Sequence, residues 1–355
     1  MRTRLRNSRS LEINSTTRGK ESELLVGQSE FTFEAQPGWE QLPDGWDLLE
    51  IVAIDVDSQG RLFVFSRGEH PVIVFDEKGK VLDTWGEGIF ERPHGMIVAP
   101  DDTLYCADDF GHALYHLSPA GEMLATMGTP GRPSDTGVSG FDYRTMKQAA
   151  GPFNGPTNAA VAPDGTLYVS DGYCNARIHK YAPGGELLYS WGEPGDGPGQ
   201  FAVPHDVGIA RDGTVFVCDR ENTRLQLFSP EGEFLEQWTD VARPCNLMFD
   251  QDDNIYVAEV GFQMGMFNGK EFPGHDPVPA RVSVFNRDGR LLARWGAGQY
   301  GKPGHFFAAH GIAVSERGDV YVGEVRPNVY GAHANMNSPR PPDGTPVLQK
   351  FVRRG

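Results

Sequence analysis

The sequence predicts an all-β fold, a six-bladed β-propeller, on three observations. An internal repeat occurs six times, turn residues separate short apolar runs at regular spacing, and a strand-like segment near the N-terminus matches a strand missing from the last repeat. The repeat is clearest in RLFVFSRG (61–68), TLYCADDF (103–110), TLYVSDGY (166–173), TVFVCDRE (214–221), NIYVAEVG (254–261) and DVYVGEVR (319–326). Each copy has a turn residue, alternating apolar positions and, usually, an acidic end, so it reads as a strand B with an aromatic at Phe63, Tyr105, Tyr168, Phe216, Tyr256 or Tyr321.

Apolar runs such as GMIVAPD, NAAVAPD and DVGIARD precede strand B and supply strand A. Hairpins such as ALYHLSPAGEMLATMG and RVSVFNRDGRLLARWG follow it and supply strands C and D, with SPAG and NRDG as β-turns. The last unit has a strand C at VLQKFV but no strand D, while FTFEA (31–35) stands alone before the first unit. The N-terminal strand is therefore expected to complete the sixth blade, which closes the ring and hides both edges. This reading divides the chain into a disordered tail, 1–30, and one propeller domain, 31–355. Insertions at 128–152, 262–280 and 326–346 break the spacing, and all three are expected on one face, where loops carry function.

Composition narrows the function classes. With 39% hydrophobic residues, six Trp and 21 Phe, the chain has enough apolar surface for a core. It has no apolar run of about 18 residues, so no membrane-spanning helix is expected. A net charge of −16 repels phosphate backbones and anionic lipid, so neither nucleic acid nor membrane is expected as a partner. Four cysteines with no C-x-x-C pair are too few for a disulfide scaffold, and a reducing cytoplasm is the expected setting. Oligomeric state is not legible.

Eleven residues before each strand-B aromatic lie Val52, His94, Thr157, His205, Cys245 and His310, at the start of the channel-lining strand A. Alternate blades thus present a histidine at one level around the axis. A single histidine beside a loop is ordinarily a solvated or capping residue, but ten histidines in the chain do not place three in register by chance. His94, His205 and His310 are the expected ligands of one divalent metal, zinc first, with iron or manganese as alternatives. Cys245 is expected in the core or behind the ligands. The other seven histidines, His179 among them, are read as surface residues or residues behind the ligands. Arg67 and Arg220 stand four residues after their strand-B aromatics and Tyr173 five after its own, all at the same mouth. Two guanidinium groups suit an anionic small-molecule substrate, and a phenol beside a metal and arginines can be acidified into a base. The plainer alternative pairs these arginines with the acids that end strand B: Asp108, Asp171, Asp219, Glu259 and Glu324. Two sets, Asp171 with Asn175 and Arg177, and Asp219 with Asn222 and Arg224, read as polar networks that staple blades.

The segments FSRGEH, RPHGMIV, SDGYCNARI, GQFAVPHD and CDREN resemble NHL-repeat propellers, in particular the peptidyl-α-hydroxyglycine α-amidating lyase family, over roughly residues 45–325. The resemblance implies zinc held by His94, His205 and His310, a catalytic role for Tyr173, and roles for Arg67 and Arg220. It implies cleavage of a carbinolamide to an amide and glyoxylate. Gly311 replaces the aspartate that would join the backbone carbonyls of Ile54 and Met96 around a structural calcium, so calcium is not expected. The family's disulfide partner of Cys174 falls at Asn154, and F-F-A-A-H before His310 lacks the proline that precedes His94 and His205. No domain that would hydroxylate peptidyl-glycine is legible, so the substrate need not be a peptide. Hydrolysis of an amide, ester or lactone, and a non-catalytic interaction scaffold, stay as alternatives.

Overall fold

A computed structural model describes residues 24–262, 278–298, 301–326 and 345–355. Among these, the chain forms five four-stranded antiparallel sheets and one five-stranded sheet, and the 3-10 turn Tyr143–Thr145 is the sole helical element. Each sheet is a blade. The inner strands A are Ile51–Val56, Pro93–Val98, Pro156–Val161, Pro204–Ile209, Pro244–Phe249 and Ala309–Val314. Each pairs with its own strand B, and successive inner strands contact one another around the axis. The expected six-bladed propeller is the observed fold.

The ring closes as the strand count predicts. Phe31–Ala35 pairs antiparallel with Leu348–Arg353, with Phe33 opposite Arg353 and Ala35 opposite Phe351. A further strand, Leu25–Gln28, pairs with Phe31–Ala35 and makes the last blade five-stranded. The boundary expected at residue 30 therefore moves back: a tight turn through Ser29, with φ of 53°, folds Leu25–Gln28 onto the edge. Residues 1–23, the rest of the expected tail, lie outside the described residues. Phe33 is fully buried, with ring centroids 5.1 Å from Trp295 and 6.5 Å from Tyr256 of the preceding blade. Phe33→Ala is expected to cost about 3–5 kcal/mol by opening a cavity at the closure, read as a lower thermal midpoint.

Neighbouring blades interlock through the tryptophans that end strand D. Trp85, Trp191 and Trp238 lie on the C–D turn of the next blade at Gly121, Gly232 and Gly289, where an added Cβ would come within 2.7, 2.8 and 2.9 Å of the indole. The acids that end strand B act as clamps. Asp108 accepts the backbone N–H of Glu91 and Arg92, Asp219 that of Ala202, and Glu324 those of Phe307 and Ala308. These donors lie two or three residues before His94, His205 and His310, so each carboxylate sets the loop that delivers a histidine to the axis. Burial pushes Glu324 up to about 7 and Asp219 to about 6, against the hydrogen bonds that hold the charge.

The two expected stapling networks differ in outcome. Asn222 and Arg224 both bond Asp219, at 2.8 Å each. Asn175 bonds Asp171, but Arg177 turns to the Ser190 carbonyl and the fully buried His179 takes its place, 3.3 Å from Asp171. His179 is thus neither a surface residue nor one behind the ligands: strand pairing puts its side chain inside blade three.

Candidate metal centre

His94, His205 and His310 converge on the propeller axis and are buried, with relative exposures of 1%, 2% and 5%. Their ring centroids are 4.7, 4.8 and 5.2 Å apart, and one nitrogen from each lies within 4.8 Å of the others. Each Nδ1 meets a backbone carbonyl of the residue at the same level in the next blade: His94 with Thr157 at 2.7 Å, His205 with Cys245 at 2.7 Å and His310 with Val52 at 2.8 Å. A carbonyl only accepts, so Nδ1 carries the proton and the Nε2 lone pair is left for the axis. Six-fold repetition does the positioning, because a histidine of an even blade always finds the carbonyl of an odd one.

Burial, reinforced by nearby guanidinium groups, pushes all three imidazoles well below the usual histidine range, so they are neutral at pH 7. Three neutral imidazole donors with their protonated nitrogens anchored are the donor set of a divalent, borderline-soft cation. The residues present therefore fit such an ion. Cys245 stays out of the cluster; its carbonyl holds His205 and its thiol lies against Arg220.

Tyr173 is brought to the same point. Its hydroxyl lies 2.9 Å from His94 Nε2 and 3.2 Å from His205 Nε2, and Arg220 Nη1 lies 3.5 Å away. Burial raises this phenol above its ordinary range, against the pull of Arg220 and Arg92. The expected acidified phenol is thus not produced by protein charges alone, because desolvation outweighs the arginines. Gly172 allows the approach: a Cβ there would sit 2.1 Å from the Pro204 carbonyl oxygen, on the strand that carries His205. Gly172→Ala is expected to displace Tyr173 and lower the thermal midpoint while the other five blades still fold, checked by a thermal melt beside circular dichroism.

Arg67 and Arg220 flank the cluster, and neither uses a strand-B acid. Arg67 donates to the Pro93 carbonyl and to Glu50, each at 3.0 Å, and Arg220 donates to Glu221 at 2.9 Å. Arg243 shares Glu221 at 2.8 Å, and Arg92 pairs with Asp109 while its guanidinium lies 5.5 Å from the Tyr173 ring centre. Four guanidinium groups thus gather beside the centre, with Glu50, Asp109 and Glu221 among their partners. Sequence reasoning missed Arg92, Arg243, Glu50 and Glu221. The arginines had a signal, since R-P-H and R-P-C place them two residues before the axial position in blades two and five. The glutamates had none, because their partners lie in loops.

The insertion 128–152 covers the site, with Val138, Phe141 and Tyr143 packed on Tyr173, Cys174 and Val203. The insertions 262–280 and 326–346 fall mostly outside the described residues. One level below the histidines, Asp206 is buried and pushed up to about 7 by desolvation, with its oxygens taken by Asn158, Asn246 and the Leu247 N–H at 2.7 Å each. An axial carboxylate exists, then, but after the second histidine and already committed to hydrogen bonds.

Fold and site together define a six-bladed β-propeller with a buried three-histidine cluster on its axis. Residues 153–181 match the family described as NHL repeat. The chain is 29% identical to the peptidylglycine alpha-amidating monooxygenase of Rattus norvegicus, covering 89% of this chain and 34% of that protein. It is 30% identical to peptidyl-alpha-hydroxyglycine alpha-amidating lyase 1 of Drosophila melanogaster, covering 70% of this chain and 46% of that protein. It therefore spans a third to about half of these relatives. A solved streptogramin B lyase has a TM-score of 0.56 at 12% identity, covering 91% of this chain and 98% of that one, which shows the fold alone. The resemblance read from the sequence stands: the chain is a six-bladed propeller with one segment matching the NHL repeat and with homologues named as amidating lyases.

Proposed function

We propose that this protein is a metal-dependent lyase that breaks the C–N bond of a carbinolamide, R-CO-NH-CH(OH)-COO⁻, giving the amide and glyoxylate. The observation that carries this reading is the Tyr173 hydroxyl within hydrogen-bond reach of two of the three axial imidazoles. His94, His205 and His310 would hold the ion, zinc first by donor type, and it supplies the Lewis acidity that makes a substrate hydroxyl acidic. In its anionic form Tyr173 would accept the hydroxyl proton and, as the phenol so formed, return it to the departing amide nitrogen, so the proton count closes within one residue. Arg220 and Arg92 favour the anionic phenol against burial. Arg67 and Arg220 hold the carboxylate that becomes part of glyoxylate.

The scaffold alternative gives no reason to bury three neutral imidazoles against one another. Elemental analysis of the purified protein and an assay of glyoxylate from α-hydroxylated N-acylglycines test the reading. One equivalent of divalent metal and metal-dependent glyoxylate release are expected, and the absence of both would remove it. Hydrolysis of an ester or lactone at the same three histidines needs no phenol, so it predicts activity that survives Tyr173→Phe.

A further inference from the structure

Beside the site, the insertion 128–152 and the loop before strand A of blade two enclose a cleft of about 780 Å³. Ile89, Phe90, Phe110, Tyr115, Val138 and Phe141 supply its apolar walls. None of the three histidines lines it, but it shares a wall with the centre. Phe141 lies 5.3 Å, ring to ring, from Tyr173 and 5.0 Å from Phe110, and the Arg92 guanidinium is stacked 3.8 Å over Phe110. The volume is that of a small-molecule pocket.

Charge gives the cleft a polarity. No lysine or arginine lines it; its charged residues are Glu91 and Asp108, while the Arg92 guanidinium lies over Phe110 and within 5.5 Å of the Tyr173 ring centre. An anionic end of a ligand is repelled here and drawn to the histidine side, and an apolar neutral end is favoured. We infer that this cleft is the subsite for the acyl group R of the carbinolamide, and that the enzyme selects large, apolar or aromatic acyl groups. The inference rests on the lyase reading, because that reading fixes which end of the substrate carries charge. The recognition surface comes from the insertion and from blade two together, so this selectivity is separate from the chemistry at the axis.

The test compares 4-phenylbutanoyl with acetyl as the acyl group on α-hydroxyglycine. In the full-length, metal-loaded protein, kcat/KM is expected to favour the phenylbutanoyl substrate by on the order of tenfold or more, the worth of burying a phenyl group. Two variants at partly or fully exposed positions of the cleft keep the test open if one misfolds: Ile89→Asp places a charge inside, and Pro133→Trp fills the rim. Both are expected to reduce that ratio at least fivefold. A wild-type ratio near one, or a ratio that neither variant moves, overturns the inference. If neither substrate releases glyoxylate, the lyase reading fails, and the cleft is judged by binding alone, with the unreactive 4-phenylbutanoylglycine and acetylglycine in titration calorimetry. Preference for the phenylbutanoyl ligand, lost in Ile89→Asp, keeps the cleft as an apolar acyl site; equal affinity for both overturns it.

Discussion

His205→Ala is expected to purify as a folded propeller with its divalent metal lost and with glyoxylate release reduced by on the order of 10³-fold, the equivalent of several kcal/mol of transition-state stabilisation. The fold survives because the imidazole sits near the end of one inner strand and its tie to the next blade is one hydrogen bond, to the Cys245 carbonyl. Its loss leaves the Cys245 carbonyl without its partner, a local cost of about 1–3 kcal/mol. Elemental analysis, turnover and a thermal melt read the three effects separately. An unaltered metal content would show that the three imidazoles are not the ligands, and the lyase reading would fall with them.

Tyr173→Phe is expected to keep the metal and the packing and to lose 10²- to 10⁴-fold in kcat, roughly the contribution of one placed proton-transfer group. The ring contacts to Phe141 and to the edges of His94 and His205 need no hydroxyl, so the substitution isolates one oxygen. Turnover that survives, with metal bound, would take the phenol out of the mechanism and favour hydrolysis by the three-histidine site. Arg220 and Arg92 oppose the burial that raises this phenol, so exchanging Arg220 for a neutral group would make its anion harder to form.

How much of this was legible in the residues differs between the fold and the site. Blade number, strand order and ring closure could be read because each blade repeats the same local physics: alternating apolar positions, a strand-B aromatic and a turn at fixed distance. The axial histidines were legible for the same reason, since equivalent positions in equivalent blades must lie at one height. Leu25–Gln28 escaped because a short, half-exposed strand has no alternating pattern to set it apart from a tail. His179 escaped because its strand-C position is filled in other blades by Gln226, Ser283 and Gln349 and not by histidine, yet all four turn inward to the acid that ends their strand B.

The sequence by itself determined the architecture and the identity of the residues around the axis, because repetition converts spacing along the chain into position in space. Tertiary structure alone decided the rest. It chose which carbonyl holds each imidazole, paired Arg67 with Glu50 and Arg220 with Glu221 in place of the strand-B acids, and laid the insertion over Tyr173 to form the adjacent cleft. Those contacts lie within one blade's own loops or between neighbouring blades, where side-chain reach and burial, with no periodicity to announce them, settle who meets whom.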